Sequence, residues 1–276
     1  MTNILSGKDV SSKIYDELRH TLSRASVLPR MVLYSDQPDA ATRSYMKSIV
    51  TQGEKLGIKV EVFQATESVE KDMISLNESD DVAGVMIMHP FKDANEMTAL
   101  RLLKQEKDLE GRTAKNLGAV VEGDWLFAPP TAEAVMEILD YYNIEVSGKD
   151  VAIVGRSTTV GKPLAMMLLK KGIDATVTVC HSRTTKLEEK TKAAEILVCA
   201  VGRAGFVTRN MVRKGSTVID VGINFEHGKL VGDVAFDEVK DVVKEITPVP
   251  GGIGSVTTAV LFRHYGTSLR LMEEGH

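Results

Sequence analysis

The chain has 276 residues, 43% hydrophobic and 26% charged, with 22 glycines and 8 prolines, a balance that excludes a disordered or fibrous protein and suffices for two modest domains with buried cores. A formal net charge of -4 supplies no field to draw nucleic acid or an anionic membrane surface, so a small molecule is the expected partner. MTNILSGKDVSSKIYDELRH becomes charged too early for a signal peptide, no run approaches a membrane span, and Cys180 and Cys199 are too few for a disulfide framework or zinc cluster; the expectation is a cytoplasmic protein with buried, reduced thiols and no metal.

In the first half, SSKIYDELRHTLSR has the apolar spacing of an amphipathic helix, MVLYS of a strand, ATRSYMKSIVTQGEKLG of a helix and KVEVFQA of a strand; VAGVMIMHP is a buried strand leading into a loop. Trp125, in EGDWLFAPP, is expected to anchor a loop or hairpin ahead of the helix AEAVMEILDYYN and the turn SGKD. From residue 150 the alternation is cleaner: DVAIVG, a glycine-bearing turn, the helix PLAMMLLKKG, ATVTVC, the helix LEEKTKAA, EILVCAVG, STVIDVGIN and KLVGDV. Strands this uniformly apolar imply a parallel sheet covered on both faces by helices. SVTTAVLFRHYGTSLRLMEEG follows a Pro-Gly-Gly turn and is long enough to leave that sheet and pack against the first half, with His264 and Tyr265 as packing residues. The expected fold class is α/β in two domains: an N-terminal α/β domain over 1–140, completed by a returning C-terminal helix in 251–276, and a Rossmann-like parallel-sheet domain over 141–250.

The strand VAIVG runs directly into GRSTTVGKP, residues 155–163, and Pro163 opens a helix where a missing N–H costs nothing. Gly155 lets the chain turn sharply, and Gly161 lets backbone approach a pyrophosphate at the positive helix N-terminus. The spacing differs from G-x-G-x-x-G, so the position between strand and helix carries the signal. A carboxylate near the end of the second strand would hold the ribose 2′-hydroxyl of NAD. That end reads CHSRTT and has no acid, while Arg156, Ser157, Ser182 and Arg183 offer donors for a 2′-phosphate, which favours NADP. The plainer alternative makes Arg156 and Arg183 solvated loop charges. Gly202 in CAVGRAG and Ile223 in IDVGIN end apolar strands and are expected on the nicotinamide side.

From Val154 to Ala259, VGRSTTVGKPLAMMLL, TVTVCHSRT, AVGRAGF, VIDVGIN, GDV and TPVPGGIGSVTTA stand in an order that resembles the methylenetetrahydrofolate dehydrogenase/cyclohydrolase family. The resemblance implies an N-terminal catalytic domain and an NADP-binding Rossmann-like domain in a homodimer, with folate in a cleft between the domains. It also implies NADP-dependent oxidation of 5,10-methylenetetrahydrofolate to the methenyl form, followed by hydrolysis to 10-formyltetrahydrofolate. In that picture Pro250, Gly251, Gly252, Ile253 and Gly254 shape the cleft; Ser255 and Val256 stand where Pro and Met are usual. KDLEG (107–111) and FAPPTAEAV (127–135) fall where the family has KDVDG and a Pro-Cys-Thr-Pro segment, with Pro130 for the Cys and Ala132 for the second Pro. The family's folate acid then becomes Glu110, still able to accept from the pterin amide and amino groups.

The family's catalytic pattern is Tyr-x-x-x-Lys on one helix face. Tyr45 is present as a catalytic and folate-binding candidate, but the fourth residue after it is Ile49, and Lys47 points about half-way round the helix. The VQLPLP strand end appears as IMHPFK, with Met88 at the glutamine position, where folate would bind, and His89 beside it. Hydride transfer survives such changes because the cofactor takes the electrons and the protein supplies position. Hydrolysis needs a positioned proton acceptor and donor, leaving three readings open: His89 serves, Lys47 serves, or the enzyme is a dehydrogenase only. His89 bonded in a loop ahead of Pro90, and Tyr45 as a packing aromatic, are the bland counterparts. A non-catalytic NADP-binding relative and a dehydrogenase of small acids are the competing classes.

Overall fold

A computed structural model of the chain describes residues 2–226 and 228–275. The elements run β1 (Asn3–Ile4), α1 (Gly7–Leu22), β2 (Arg30–Ser35), α2 (Ala40–Leu56), β3 (Val60–Gln64), α3 (Val69–Glu78), β4 (Val82–Ile87), α4 (Glu96–Leu102), α5 (Ala114–Glu122) and α6 (Pro130–Tyr141). There follow β5 (Asp150–Val154), α7 (Gly161–Leu169), β6 (Thr176–Cys180), α8 (Leu187–Ala193), β7 (Ile196–Cys199), β8 (Thr217–Asp220), β9 (Asn224–Glu226), β10 (Lys229–Val231), α9 (Phe236–Val239), β11 (Glu245–Ile246) and α10 (Ile253–Glu274). Among the described residues no helix is long and apolar enough to cross a membrane.

The chain forms two compact units: Ile14–Ala119 with Trp125–Ala128 and Leu261–His276, and Met1–Lys13 with Val120–Asp124 and Pro129–Val260. These bounds differ from the expected 1–140 plus 251–276 and 141–250. The N-terminal residues join the second unit because β1 pairs with β11, and the Tyr142 hydroxyl beyond α6 donates to the Ser6 carbonyl at 2.9 Å.

The first unit is built on a three-stranded parallel sheet of order β3-β2-β4. Asp39 caps α2 by accepting the Thr42 N–H at 2.7 Å, and Gly57 ends the helix in the left-handed region. Ile49, Met88, Leu109, Phe262 and Tyr265 belong to one apolar cluster of this unit, so the last helix is fixed by burial as the C-terminal pattern predicts. His264 and Tyr265 pack as expected: His264 Nδ1 lies 2.8 Å from the Leu109 carbonyl oxygen, and the Tyr265 hydroxyl donates to that of Pro29 at 2.6 Å.

The second unit contains a six-stranded sheet, β1-β11-β8-β7-β5-β6, parallel throughout. The chain leaves β5 for β6 on one side and then β7 on the other, so the order reverses beside β5, where ligands lie in open α/β sheets. Cys180 and Cys199 are buried free thiols. KLV is a correction: β10 pairs antiparallel with β9 in a separate hairpin. A connection as short as the one between them joins antiparallel strands, whereas a parallel neighbour needs a long crossover.

Candidate active site

The cofactor side starts where β5 ends. Gly155 has φ +137°, closed to ordinary side chains, and a Cβ there would lie 2.2 Å from the Ala200 carbonyl oxygen. Gly161 opens α7 so close to the turn that its Cβ would lie 2.1 Å from the Gly155 carbonyl oxygen. Ser157 closes the turn: its Oγ accepts the Val160 N–H at 3.0 Å and its carbonyl accepts that of Lys162 at 3.0 Å. At the end of β6, the His181 N–H donates to Thr184 Oγ1 at 2.8 Å and the Arg183 N–H to His181 Nδ1 at 3.1 Å. This turn leaves Ser182 and Arg183 exposed, as are Arg156 and Ser157. A backbone cradle with no room for a Cβ, with guanidinium and hydroxyl groups and no acid at the β6 end, fits a dinucleotide bearing a 2′-phosphate.

Beyond β7 and β8 the structure contains an organiser that the sequence reading missed. Asp233 Oδ2 accepts the N–H groups of Val201 (2.6 Å) and Gly202 (2.9 Å); Oδ1 accepts from the Arg203 N–H (2.8 Å) and Asn224 Nδ2 (2.9 Å). Asp220 in turn accepts the N–H groups of Gly222 (2.9 Å), Asp233 (3.0 Å) and Val234 (2.9 Å). Both acids are buried, and burial pushes the Asp220 carboxyl up to about 6 against the pull of those three N–H groups. Gly202 sits at φ +69° on this loop, and Ile223 is exposed.

The PGGIG loop lies in the same unit. The Gly251 carbonyl accepts the Gly7 N–H at 2.8 Å, and Gly252 approaches so closely that a Cβ on Gly7 would lie 2.1 Å from its carbonyl oxygen. Pro250, Gly251 and Gly254 are exposed, while Gly252 and Ile253 are buried. A Cβ on Gly254 would stand 3.6 Å from Ile223 Cδ1, so the loop and the end of β8 meet.

The folate-side candidates gather in the other unit. Tyr45 lies on α2 and is 37% exposed; desolvation by the protein around its hydroxyl raises the pKa above the ordinary tyrosine value, with smaller contributions from Glu110 and Tyr15. Lys47 is exposed, whereas Ile49 is 0% and Met88 3% exposed. The two positions that carry polar groups in the family are therefore interior to one apolar cluster.

Glu110, with a side chain 17% exposed, heads a chain of charged groups. Arg112 Nη1 is 3.4 Å from Glu110 Oε2 and donates to the Ile87 carbonyl at 2.9 Å. Arg112 Nη2 donates to Glu96 Oε1, and Glu96 Oε2 lies 2.7 Å from Nδ1 of His89, whose side chain is 69% exposed. The Thr42 hydroxyl donates to the His89 carbonyl at 3.3 Å, tying this strand end to the first turn of the helix that carries Tyr45. Burial pushes Glu110 up to about 7, with Arg112 opposing. Burial also favours a neutral Glu96, yet Arg112 and His89 together hold its carboxyl below the usual range. Arg112 and Glu96 were invisible as partners in the sequence; the acid of KDLEG followed by an arginine was the available hint.

The family model for the tetrahydrofolate dehydrogenase/cyclohydrolase catalytic domain matches residues 5–110, and that for the NAD(P)-binding domain matches residues 129–271. The bifunctional protein FolD of Kosmotoga olearia is 58% identical over 270 residues, 98% of either chain. The structure of bifunctional FolD from Campylobacter jejuni superimposes with a TM-score of 0.92 at 34% identity, covering 98% of this chain and 99% of that one. The Trypanosoma brucei methylenetetrahydrofolate dehydrogenase-cyclohydrolase, complexed with NADP and an inhibitor, gives 0.90 at 29% identity over 98% of each.

Proposed function

Since the chain belongs to the tetrahydrofolate dehydrogenase/cyclohydrolase family, we propose that it oxidises 5,10-methylenetetrahydrofolate with NADP and hydrolyses the methenyl product to 10-formyltetrahydrofolate. The observation that carries this reading is the closed glycine cradle between β5 and α7, flanked by Arg156, Ser157, Ser182 and Arg183. NADP, when bound, supplies the hydride acceptor. The residues of the chain bind and orient. Gly155 and Gly161 give the pyrophosphate access to backbone N–H groups, and the two arginines and two serines hold the 2′-phosphate. Asp233 fixes the Gly202 loop on the nicotinamide side. Glu110 anchors the pterin through its amide and amino groups, with Tyr45 close enough for its hydroxyl to feel the carboxylate.

A rise in the absorbance of reduced cofactor on mixing protein, NADP and methylenetetrahydrofolate is the expected result. No change, with NADP bound but folate not, would leave a non-catalytic NADP-binding protein. One observation favours a second reading, a dehydrogenase without hydrolysis: Ile49 and Met88 are buried and apolar. Supplying methenyltetrahydrofolate alone separates the two, since only the bifunctional enzyme consumes it above the uncatalysed rate. A cytoplasmic location and a homodimer complete the proposal; sedimentation at the mass of one protomer would overturn the latter.

A further inference from the structure

Resting on that proposed function, we infer that Glu96 is a positioning residue for the hydrolytic step: it holds His89 by Nδ1, so that Nε2 becomes the proton-transfer group for water attack on the methenyl carbon. The polar cluster around His89 supports this assignment. Glu96 Oε2 stands 2.7 Å from His89 Nδ1, and Glu96 Oε1 is taken by Arg112. Arg112 is anchored independently by the Ile87 carbonyl at 2.9 Å. A carboxylate fixed by a guanidinium accepts hydrogen bonds and donates none, so the neutral imidazole carries its proton on Nδ1 and presents a lone pair on Nε2. The same carboxylate stabilises the imidazolium that forms when Nε2 takes a proton, as an orienting acid does in other carboxylate–imidazole pairs. The ring has access to solute, its side chain being 69% exposed, while Glu96 and Arg112 are largely buried and bonded to each other.

The proton balance closes with these groups alone. Water oxygen bonds to the methenyl carbon as Nε2 of His89 takes one of its protons. The bond from that carbon to N5 then breaks, the imidazolium returns its proton to N5, and the remaining hydroxyl proton leaves to solvent. The net change is a methenyl cation plus water giving the neutral formyl product and one proton. Among the described residues no carboxylate holds Lys47 in this way, and two positions from Tyr45 it stands about half-way round the helix from it.

The test supplies methenyltetrahydrofolate directly to native protein, Glu96→Gln, His89→Ala and the double variant, with NADP reduction followed in parallel. Glu96→Gln keeps the shape but offers an N–H to Nδ1, which reverses the tautomer. The expected result is a hydrolytic kcat lower by roughly 10-fold or more in Glu96→Gln and about 100-fold in His89→Ala. The KM for the methenyl compound changes far less, and the double variant is no slower than His89→Ala. Added imidazole restores part of the rate in His89→Ala, whose exposed side chain can be removed without threatening the fold. Native protein that hydrolyses nothing, a kcat unchanged in His89→Ala, or losses that multiply in the double variant would each overturn the assignment. Absence of NADP reduction in native protein would instead strike the proposed dehydrogenase, leaving the hydrolysis result to be read by itself.

Discussion

Replacing Glu110 by glutamine, which has nearly the same shape but no titrating proton, isolates what one carboxyl contributes to folding. Burial raises Glu110 from the ordinary 4.5 to about 7, with Arg112 pulling the other way, and at 17% exposure solvent screens little of this. Through the window from about 4.5 to about 7 the folded protein keeps a proton that the unfolded chain has lost. Native stability from this group is therefore fully present below the window and falls as pH rises through it. At 1.36 kcal/mol for each pH unit, the loss amounts to about 3 kcal/mol. Urea unfolding at about pH 4 and about pH 8, for native protein and Glu110→Gln side by side, cancels every other titrating group, Asp220 included. The native-minus-variant difference should fall by about 3 kcal/mol between the two conditions. A difference that stays constant or grows would mean that the Arg112 ion pair outweighs burial, and the reasoning would fail.

Gly161→Ala forces a Cβ to within 2.1 Å of the Gly155 carbonyl oxygen, a backbone atom that cannot swing aside. Titration calorimetry should show NADP affinity reduced by roughly 10-fold or more, with a lower melting temperature from an overpacking cost of about 1–3 kcal/mol. Arg183→Ala removes a charge-assisted contact of about 1.5–3 kcal/mol, so the ratio of kcat/KM for NADP to that for NAD should drop roughly 10- to 100-fold; equal losses with both cofactors would refute a role in phosphate recognition. Asp233→Asn turns one of two accepting oxygens into a donor facing N–H groups and should cost roughly 1–3 kcal/mol for each group left unpaired, measured by urea unfolding, with a higher KM for NADP.

The β5–turn–α7 unit was readable in the sequence because everything that defines it is local: an apolar run, two glycines and a proline. Gly161 opens the helix, however, and Pro163, expected there, stands two residues later in its first turn, where an N–H is still unpaired by the helix. Helices α3, α4 and α5 span two or three turns each, too little for apolar periodicity to stand out, and none was anticipated. The two-residue strands β1 and β11 exist only because each finds a partner across the sheet, which no local pattern encodes. The polar organisers escaped for the same reason. Asp233 serves backbone groups some thirty positions earlier, and Arg112 meets Glu96 sixteen positions away, separations set by tertiary folding. The family pattern singles out Glu110 as a candidate by its motif but gives no reason to look at the arginine two residues on.

The shared burial of Ile49 and Met88 has a consequence for redesign. An ammonium introduced at position 49 alone would enter an apolar cluster, and a polar amide introduced at 88 alone would enter the same one. Bringing the family's lysine into this chain at position 49 therefore means burying an ammonium among the side chains of Leu33, Met46 and Phe262 and their neighbours, and is expected to lower the melting temperature.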